Sequence, residues 1–458
     1  MTPDQAPSRT DTPRRHLGVA HATILGLGMI MTTDTLKTAP TVALNIGHWH
    51  FYGVWVLGGL ISMVGAMCYV EMATAFPDPG GDYNFLRKAY GQNVGLLFAW
   101  SRFSIMHTGW IALMAFMFAD YAGALLPMGH PGETLFAIAT VAALMGLNLM
   151  HVRMGFITQA GLVALVTAGF ASVVAAVIKL GLAGQLPHAA PVLAATPAPT
   201  LGKLSVALVY IFLAYGGWSD AANLSAEVRG DRRGMLITII GSLAVLMAIY
   251  LALNGAMIVG LGVAGLAHST APAADLLAKA FGRVGESLIV AVVGISAIAS
   301  INSTLIVGAR TTFAAARDTP ALAALGRWDL ARGVPARAVL AEGMVSIGLV
   351  VVGSFAASGF NAMVDYMTPV YWLFMCLSIG AMMILRRRFP NTPRPVRTPF
   401  YPLFPVAFLG VSVAMLVSSL TQLGVGALYG AGVMVLGLAV VWMLRPRSAA
   451  VARVTSTG

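Results

Sequence analysis

Charged residues are scarce in this sequence. Asp, Glu, Lys and Arg together make up 10% of its 458 residues, whereas soluble globular domains carry about 25%. Hydrophobic residues account for 58% of the chain. The shortage of charge excludes an ordinary soluble domain, and together with the apolar content it indicates a protein that resides in a lipid bilayer.

Cysteine is also scarce. The two cysteines, Cys68 and Cys376, fall inside apolar runs, and two such residues support neither a disulfide framework nor a cysteine-based metal site. The nine histidines are scattered, and no HExxH or GxSxG context accompanies the one close pair, His48 and His50. We therefore predict that the protein is not an enzyme and that it holds no cofactor and no metal.

Long apolar runs dominate the rest of the chain. A helix that crosses a bilayer needs roughly 20 predominantly apolar residues. The sequence therefore predicts an all-α membrane protein with about 12 transmembrane helices. The twelve predicted spans are 18–44, 50–76, 93–126, 133–150, 157–182, 202–228, 235–262, 286–315, 337–357, 360–385, 402–421 and 425–444.

The basic residues are distributed unevenly between the loops. With the N-terminus placed in the cytoplasm, 22 of the 28 Lys and Arg residues fall in inner segments and five in outer segments, while Arg102 lies within a span. This bias follows the positive-inside rule and predicts that both termini are cytoplasmic. The net charge of +11 is therefore interpreted as a sign of topology in the cell inner membrane, and no nucleic-acid partner is expected.

The two ends of the chain are polar. Residues 1–16 are rich in Ser, Thr, Pro and Arg and are predicted to be a disordered cytoplasmic tail, with no removed signal peptide. Residues 446–458 are predicted to be a second cytoplasmic tail. Between the tails we place two inverted repeats, residues 17–200 and 201–398, followed by the last two helices in residues 399–445.

Two of the predicted spans are interrupted by glycine. The first contains Gly26 and Gly28, the sixth contains Gly216 and Gly217, and each is the first helix of a five-helix set. Glycine-broken helices at corresponding places of two halves are typical of a binding site at an inverted repeat. Unwound backbone offers N–H groups to a carboxylate and carbonyls to an ammonium, so the breaks predict a site for an α-amino acid. Close helix packing is the alternative role of these glycines.

Several motifs occur in a characteristic order along the chain. Residues 23–30 read TILGLGMI, residues 69–83 contain YVEMA and FPDPGGDY, and residues 212–218 read FLAYGGW. Residues 385–405 contain LRRRFP, PRPVR and YPLFP. In order and spacing these motifs resemble those of the amino acid–polyamine–organocation (APC) superfamily, especially the L-type amino acid transporters and related bacterial exchangers. The resemblance covers nearly the whole chain.

The resemblance implies a LeuT-type fold, with five plus five inverted helices and two more, and a permease that works by alternating access in the lipid bilayer. It implies that a small-molecule substrate, an amino acid, binds with its carboxylate on the N–H groups of Leu27 and Gly28. Carbonyls at the two breaks would receive the ammonium group, and the third helix would line the side-chain pocket. The other residues implied for the site are Ile24, Gly26, Ile105, Met106, Leu213, Ala214, Tyr215 and Gly216.

The sequence departs from the family pattern at three positions. Leu27 stands where the family has a serine, which removes a hydroxyl but keeps the backbone N–H. Leu213 stands where the family has a gating aromatic residue. Val166 occupies the place of a lysine that some relatives use instead of a sodium ion. This last departure favours exchange (antiport) and leaves proton symport as the alternative.

Arg102 and Asp220 are charged residues at membrane depth, where ionisable groups are candidates for functional sites. Both fall in the cytoplasmic half of the predicted bilayer, and we hypothesise that they compensate each other as a pair. Without that pairing, Asp220 would be free to contact a cationic substrate or to carry a proton. The alternative function is therefore a polyamine or cationic amino-acid carrier that uses Asp220.

The remaining intramembrane charges have simpler interpretations. Asp34, Lys37 and Asp120 are interpreted as parts of a solvated outer vestibule, with Asp34 and Lys37 close enough to pair on one helix face. His107 is interpreted as a lone structural histidine, with a proton relay as the alternative, and Glu71 as a residue at the membrane interface.

Overall fold

The computed structural model describes most of the chain. Its described residues are 31–76, 81–150, 156–187, 199–219, 237–317, 323–329 and 334–443. Regular structure within these ranges is helical, apart from one isolated antiparallel bridge between Asp329 and Val334.

Two of the helices begin in a π-helical turn. We number the elements in chain order. They are α1 Thr35–Ala75, α2 Asp82–Tyr90, α3 Gln92–Ser101, π1 Arg102–His107, α4 Thr108–Leu125, α5 Gly129–Leu149, α6 Phe156–Leu182, α7 Leu201–Ala214, π2 Ile237–Gly241, α8 Ser242–His268, α9 Pro272–Arg317, α10 Ala336–Gly353, α11 Gly359–Arg388, α12 Leu403–Thr421 and α13 Val425–Met443.

Ten helical segments in the described ranges are long and apolar enough to cross a membrane. They correspond to ten of the twelve predicted spans and confirm a multi-pass, all-helical membrane protein. The two others are the first and sixth predicted spans. The structure describes one part of each, the beginning of α1 and the short apolar helix α7.

Three helices change direction at a glycine that lies between two predicted spans or at the end of one. Gly47 in α1, Gly262 in α8 and Gly282 in α9 have φ values of +70°, +73° and +65°. Only glycine adopts positive φ of this kind without strain, so each position allows the chain to change direction between two helical segments. In α1 the corner separates residues 35–46 from the membrane-crossing segment that follows.

The helices pack in two groups that share α11 as a neighbour. In the first group, α1 packs against both α7 and α8. In the second, α4, α5, α9 and α10 pack against one another. The predicted site residues are divided between these groups, because residues 213–216 end α7 and residues 105–106 precede α4.

The outer surface of the bundle is apolar. Large side chains on α12 and α13 remain exposed, among them Val417, Leu428 and Trp442. A water-soluble protein rarely exposes such a continuous apolar surface. Lipid contact accounts for it, because lipid tails solvate these side chains without the free-energy cost that water imposes.

Candidate functional site

The end of α7 lies at the predicted interruption of the sixth span. Thr200 caps the start of this helix by accepting the N–H of Lys203 at 3.4 Å, and the helix ends at Ala214. The Gly216 N–H then turns back to the Leu213 carbonyl at 3.0 Å. Gly217 has a φ of +83°. The backbone thus leaves the helical path at residues 215–217, inside the protein.

Three aromatic rings hold this end of α7. The ring of Tyr215 lies 5.9 Å from that of Trp55 on α1 and 5.5 Å from that of Tyr250 on α8, measured between centroids. All three side chains are fully buried. Aromatic pairs of this kind contribute about 0.5–1.5 kcal/mol beyond the burial of their surface. Gly59 permits the close approach of α1, because a Cβ there would lie 3.3 Å from the Tyr215 ring.

The second group of predicted site residues lies in π1. Ile105 is fully buried and Met106 is half-buried. π-helical turns are frequent at functional sites. Tyr366 on α11 holds this turn by donating to the Ser104 carbonyl at 2.8 Å. Just after the turn, Trp110 at the start of α4 donates to Ser300 Oγ on α9 at 2.9 Å.

Helix α11 connects the two groups. Its Trp372 packs edge-to-face against Phe212 of α7 with a centroid distance of 5.0 Å. The Tyr366 hydrogen bond to π1 lies less than two turns away on the same helix. A displacement of α11 would therefore act on the interrupted helix and on π1 together.

Five of the predicted site residues lie outside the described residues. They are Ile24, Gly26, Leu27, Gly28 and Asp220. The predicted contact between Arg102 and Asp220 therefore stays a prediction. The guanidinium of Arg102 lies 5.7 Å from the centre of the Phe98 ring.

The interpretation of Asp34 and Lys37 as a solvated pair is wrong. Asp34 is fully buried, and its Oδ1 accepts a hydrogen bond from Thr32, while Oδ2 has no hydrogen-bond partner among the described residues. Lys37 turns away to Asp120 on α4, at an Nζ–Oδ2 distance of 2.5 Å, and also donates to the Thr270 carbonyl. The partner of Lys37 thus comes from another helix rather than from its own helix face.

We expect Lys37 and Asp120 to stabilise each other. Changing Lys37 to Met and Asp120 to Asn, singly and together, should give a coupling free energy of about 0.5–3 kcal/mol, since each single change leaves the other charge unpaired. Thermal unfolding in detergent micelles measures it. Lys203→Met removes an exposed lysine and should be near neutral. Strictly additive effects of the two changes on the free energy of unfolding would mean that the contact between Lys37 and Asp120 does not stabilise the protein.

Glu71 also differs from its interpretation as an interface residue. It is buried, and its Oε2 accepts the backbone N–H of Thr398 at 2.6 Å. Arg386 and Arg394 each place a guanidinium nitrogen 3.5 Å from the carboxylate. Glu71 therefore joins the end of α1 to the end of α11 and to the chain that leads into α12.

The sequence interpretation missed Glu342. This residue is the sole acidic residue of the predicted span 337–357, and the structure buries it completely on α10. The Nδ1 atom of His107 lies 3.5 Å from its Oε1 atom. His107 therefore has an acidic neighbour and is not a lone histidine. The sequence alone could have identified Glu342, because any acidic residue inside an apolar span is a candidate functional residue.

Among the described residues, no three His, Cys, Asp or Glu side chains come together in a way that could hold a metal ion. Polar groups in the interior instead meet in pairs across helices. One such pair is Asn148 on α5, which donates to Asn302 on α9 at 2.7 Å.

The multi-pass helical bundle is the architecture of a membrane transporter. Comparison with protein-family models identifies the family of transporter. The model of the amino acid permease family matches residues 17–443. The chain therefore belongs to the amino acid permease family of the APC superfamily, which confirms the resemblance seen in its motifs. This family membership also confirms a transporter rather than an enzyme.

Individual relatives agree with the family. The large neutral amino acids transporter small subunit 2 of Mus musculus is 26% identical over 446 residues, which cover 94% of this chain and 81% of the relative. The Asc-type amino acid transporter 1 of Homo sapiens is 27% identical over 409 residues, covering 86% and 76% of the two chains. The b(0,+)-type amino acid transporter 1 of Mus musculus is 24% identical over 377 residues, covering 80% and 74%.

Proposed function

We propose that this protein is a secondary-active carrier that moves amino acids across the cell inner membrane by alternating access. The substrate binds where the first and sixth spans are interrupted, and the basal mode is exchange of one amino acid for another. The observation that carries this proposal is the end of α7 at Ala214, followed by the turn at residues 215–217 in the protein interior.

The chemistry of the interruption supports an amino-acid ligand. Helical hydrogen bonding stops at the end of α7, so carbonyls of its last turn become available to a cation such as an ammonium group. The negative end of the helix dipole lies at the same place. The side chains around it are apolar or aromatic, among them Leu213 and Phe212, so a neutral substrate side chain fits better than a charged one.

Counterflow in proteoliposomes tests this function. Vesicles loaded with an unlabelled compound receive the same compound, labelled, at low concentration outside. The panel contains L-leucine, L-serine, L-lysine and putrescine. Counterflow of one or more amino acids is expected. Counterflow of putrescine alone would select the polyamine carrier instead, and absence of counterflow for amino acids would contradict the proposal.

Recognition of the substrate should require both a free carboxylate and a free amine. Competition against the labelled amino acid should therefore be strong for the unlabelled amino acid and lost for its methyl ester and its N-acetyl derivative. The loss follows because each modification removes one of the two charges that the interrupted helices would receive. Equal competition by the methyl ester would show that no carboxylate site exists.

A further inference from the structure

The buried pair formed by Glu342 and His107 has no role in the amino-acid site described above. Glu342 is fully buried, and both of its carboxylate oxygens have no hydrogen-bond partner among the described residues. His107 Nδ1 likewise has none, although it lies within ion-pair distance of Glu342. Buried polar groups are normally hydrogen-bonded, so such a combination requires a physical explanation.

A proton provides that explanation. An ionised carboxylate without a partner in a membrane span is costly. One proton placed on either Glu342 or His107 makes the pair neutral overall, as a carboxylic acid beside imidazole or as carboxylate beside imidazolium. Loss of that proton leaves one negative charge. The pair can therefore exist in two states that differ by one proton and one unit of charge.

Arg102 makes the deprotonated state accessible. It lies in π1 with His107 and is close enough to interact electrostatically with both His107 and Glu342. Its positive charge offsets the single negative charge of the deprotonated pair. Proton binding then changes the cluster of three from neutral to singly positive. Both protonation states can therefore exist in the protein interior, as a site that binds and releases a proton requires.

The other charged groups on the helices around α10 are engaged elsewhere or lie towards helix ends. Asp120 pairs with Lys37, and Asp365 accepts the N–H of Gly424 at 3.0 Å. Arg337 lies in the first turn of α10 and donates to Ala324. The remaining charged residues and histidines on the packed helices are His130, Glu133, Asp275, Lys279, Arg283, Glu286, Arg310, Arg317, Arg386, Arg387 and Arg388, and the other titratable side chains there are Tyr121, Tyr366, Tyr371 and Cys376.

The surroundings of the pair connect its charge to helix packing. Gly308 on α9 faces Glu342 so closely that a Cβ there would lie 2.5 Å from the carboxyl carbon. His107 directly follows Ile105 and Met106, which are predicted to line the substrate pocket, and retains 8% exposure. A proton would therefore reach the fully enclosed carboxylate through the imidazole.

We propose that Glu342 and His107 form a proton-binding site that couples amino-acid uptake to a proton gradient. This inference rests on the proposed transport function and adds to basal exchange a second mode, proton symport, with residues of its own. The proton adds to the pair when the site faces the acidic side, changes the contact between π1, α9 and α10, and leaves on the other side. No other reactant is required.

The experiment compares two modes of transport in the same proteoliposomes. Counterflow at equal pH measures exchange, using the amino acid of the panel with the strongest signal. A pH gradient, acidic outside, measures accumulation, and the dye pyranine inside the vesicles reports proton entry. Wild-type protein should accumulate the amino acid and acidify the vesicles. Glu342→Gln and His107→Gln should lose both responses while keeping counterflow. Asp365→Asn, which alters a half-buried acid on α11, should keep accumulation, acidification and counterflow.

Gradient-driven accumulation by Glu342→Gln equal to that of wild-type protein would overturn the proposal, and so would robust counterflow without any response of the wild-type protein to the gradient. A failure of counterflow itself would concern the proposed function instead. In that case infrared difference spectra test the proton site independently of transport. A pH step should change a carboxylic-acid C=O band in wild-type protein and not in Glu342→Gln. An identical band in both would equally reject the site.

Discussion

Replacing Gly216 by valine should abolish transport while leaving the protein folded. A Cβ at this position would lie 2.9 Å from the Leu213 carbonyl oxygen and 3.5 Å from that of Phe212. These carbonyls belong to the last turn of α7, where the substrate ammonium is proposed to bind. Valine would therefore displace the backbone of the site, and misplacement by about 1 Å can cost about 100-fold in rate. Counterflow at equal pH measures the loss.

The control for this change is Gly410→Val on α12. A Cβ at Gly410 meets no atom within 4 Å, so valine there has free space and should leave counterflow unchanged. Gly216→Ala should give an intermediate loss, because it adds one methyl group instead of an isopropyl group. Yield and the elution profile in size-exclusion chromatography establish that each variant folds. Wild-type counterflow by Gly216→Val would show that the turn is only a packing feature.

The sequence was sufficient to predict the spans because a bilayer restricts the alternatives so strongly. Backbone groups in hydrocarbon must form their hydrogen bonds within a helix, so an apolar run of the right length has few other structures available. This constraint does not determine how the helix axis turns where one segment meets the next. The corners at Gly47 and Gly282 fall in the gaps between predicted spans, and what the sequence did not predict is that helix continues on both sides of each.

Local sequence predicted one feature of the candidate site, the place where α7 ends. The glycine pair at residues 216–217 identified where α7 ends, because that local conformation depends on the glycines themselves. The partners of charged residues were not predictable in this way. Lys37 is one turn from Asp34 in sequence but contacts Asp120, whose position depends on how α1 packs against the rest of the bundle. Pairing between helices is a property of tertiary packing.

Glu342 illustrates a different limit. Its acidic side chain was visible in the sequence, but its significance depends on burial and on the imidazole of His107, 235 positions earlier in the chain. Residues so far apart are brought together only by the contact of π1 with α10. The sequence therefore identifies such a residue as exceptional, and the structure supplies its partner.

Glu71→Ala should be the most destabilising single change at the end of the bundle where α1 and α11 finish. Arg394 also donates to four backbone carbonyls, those of Leu385, Phe389, Pro390 and Thr392, so Glu71 balances a guanidinium that is itself enclosed by the chain. Removing the acid leaves that charge unpaired and the Thr398 N–H without its acceptor. Breaking a buried ion pair costs about 3–5 kcal/mol.

Thermal unfolding in detergent and the yield from membranes measure the effect of Glu71→Ala. Glu71→Gln should lose less stability, because the amide oxygen still accepts the Thr398 N–H while the two ionic contacts disappear. Arg387→Ala is the matched control, since this exposed arginine neighbours Arg386 in sequence. Equal unfolding temperatures for Glu71→Ala and Arg387→Ala would show that the contacts of Glu71 do not stabilise the protein. A graded series, with alanine worst and glutamine intermediate, would identify Glu71 as the acid that holds the ends of α1 and α11 together.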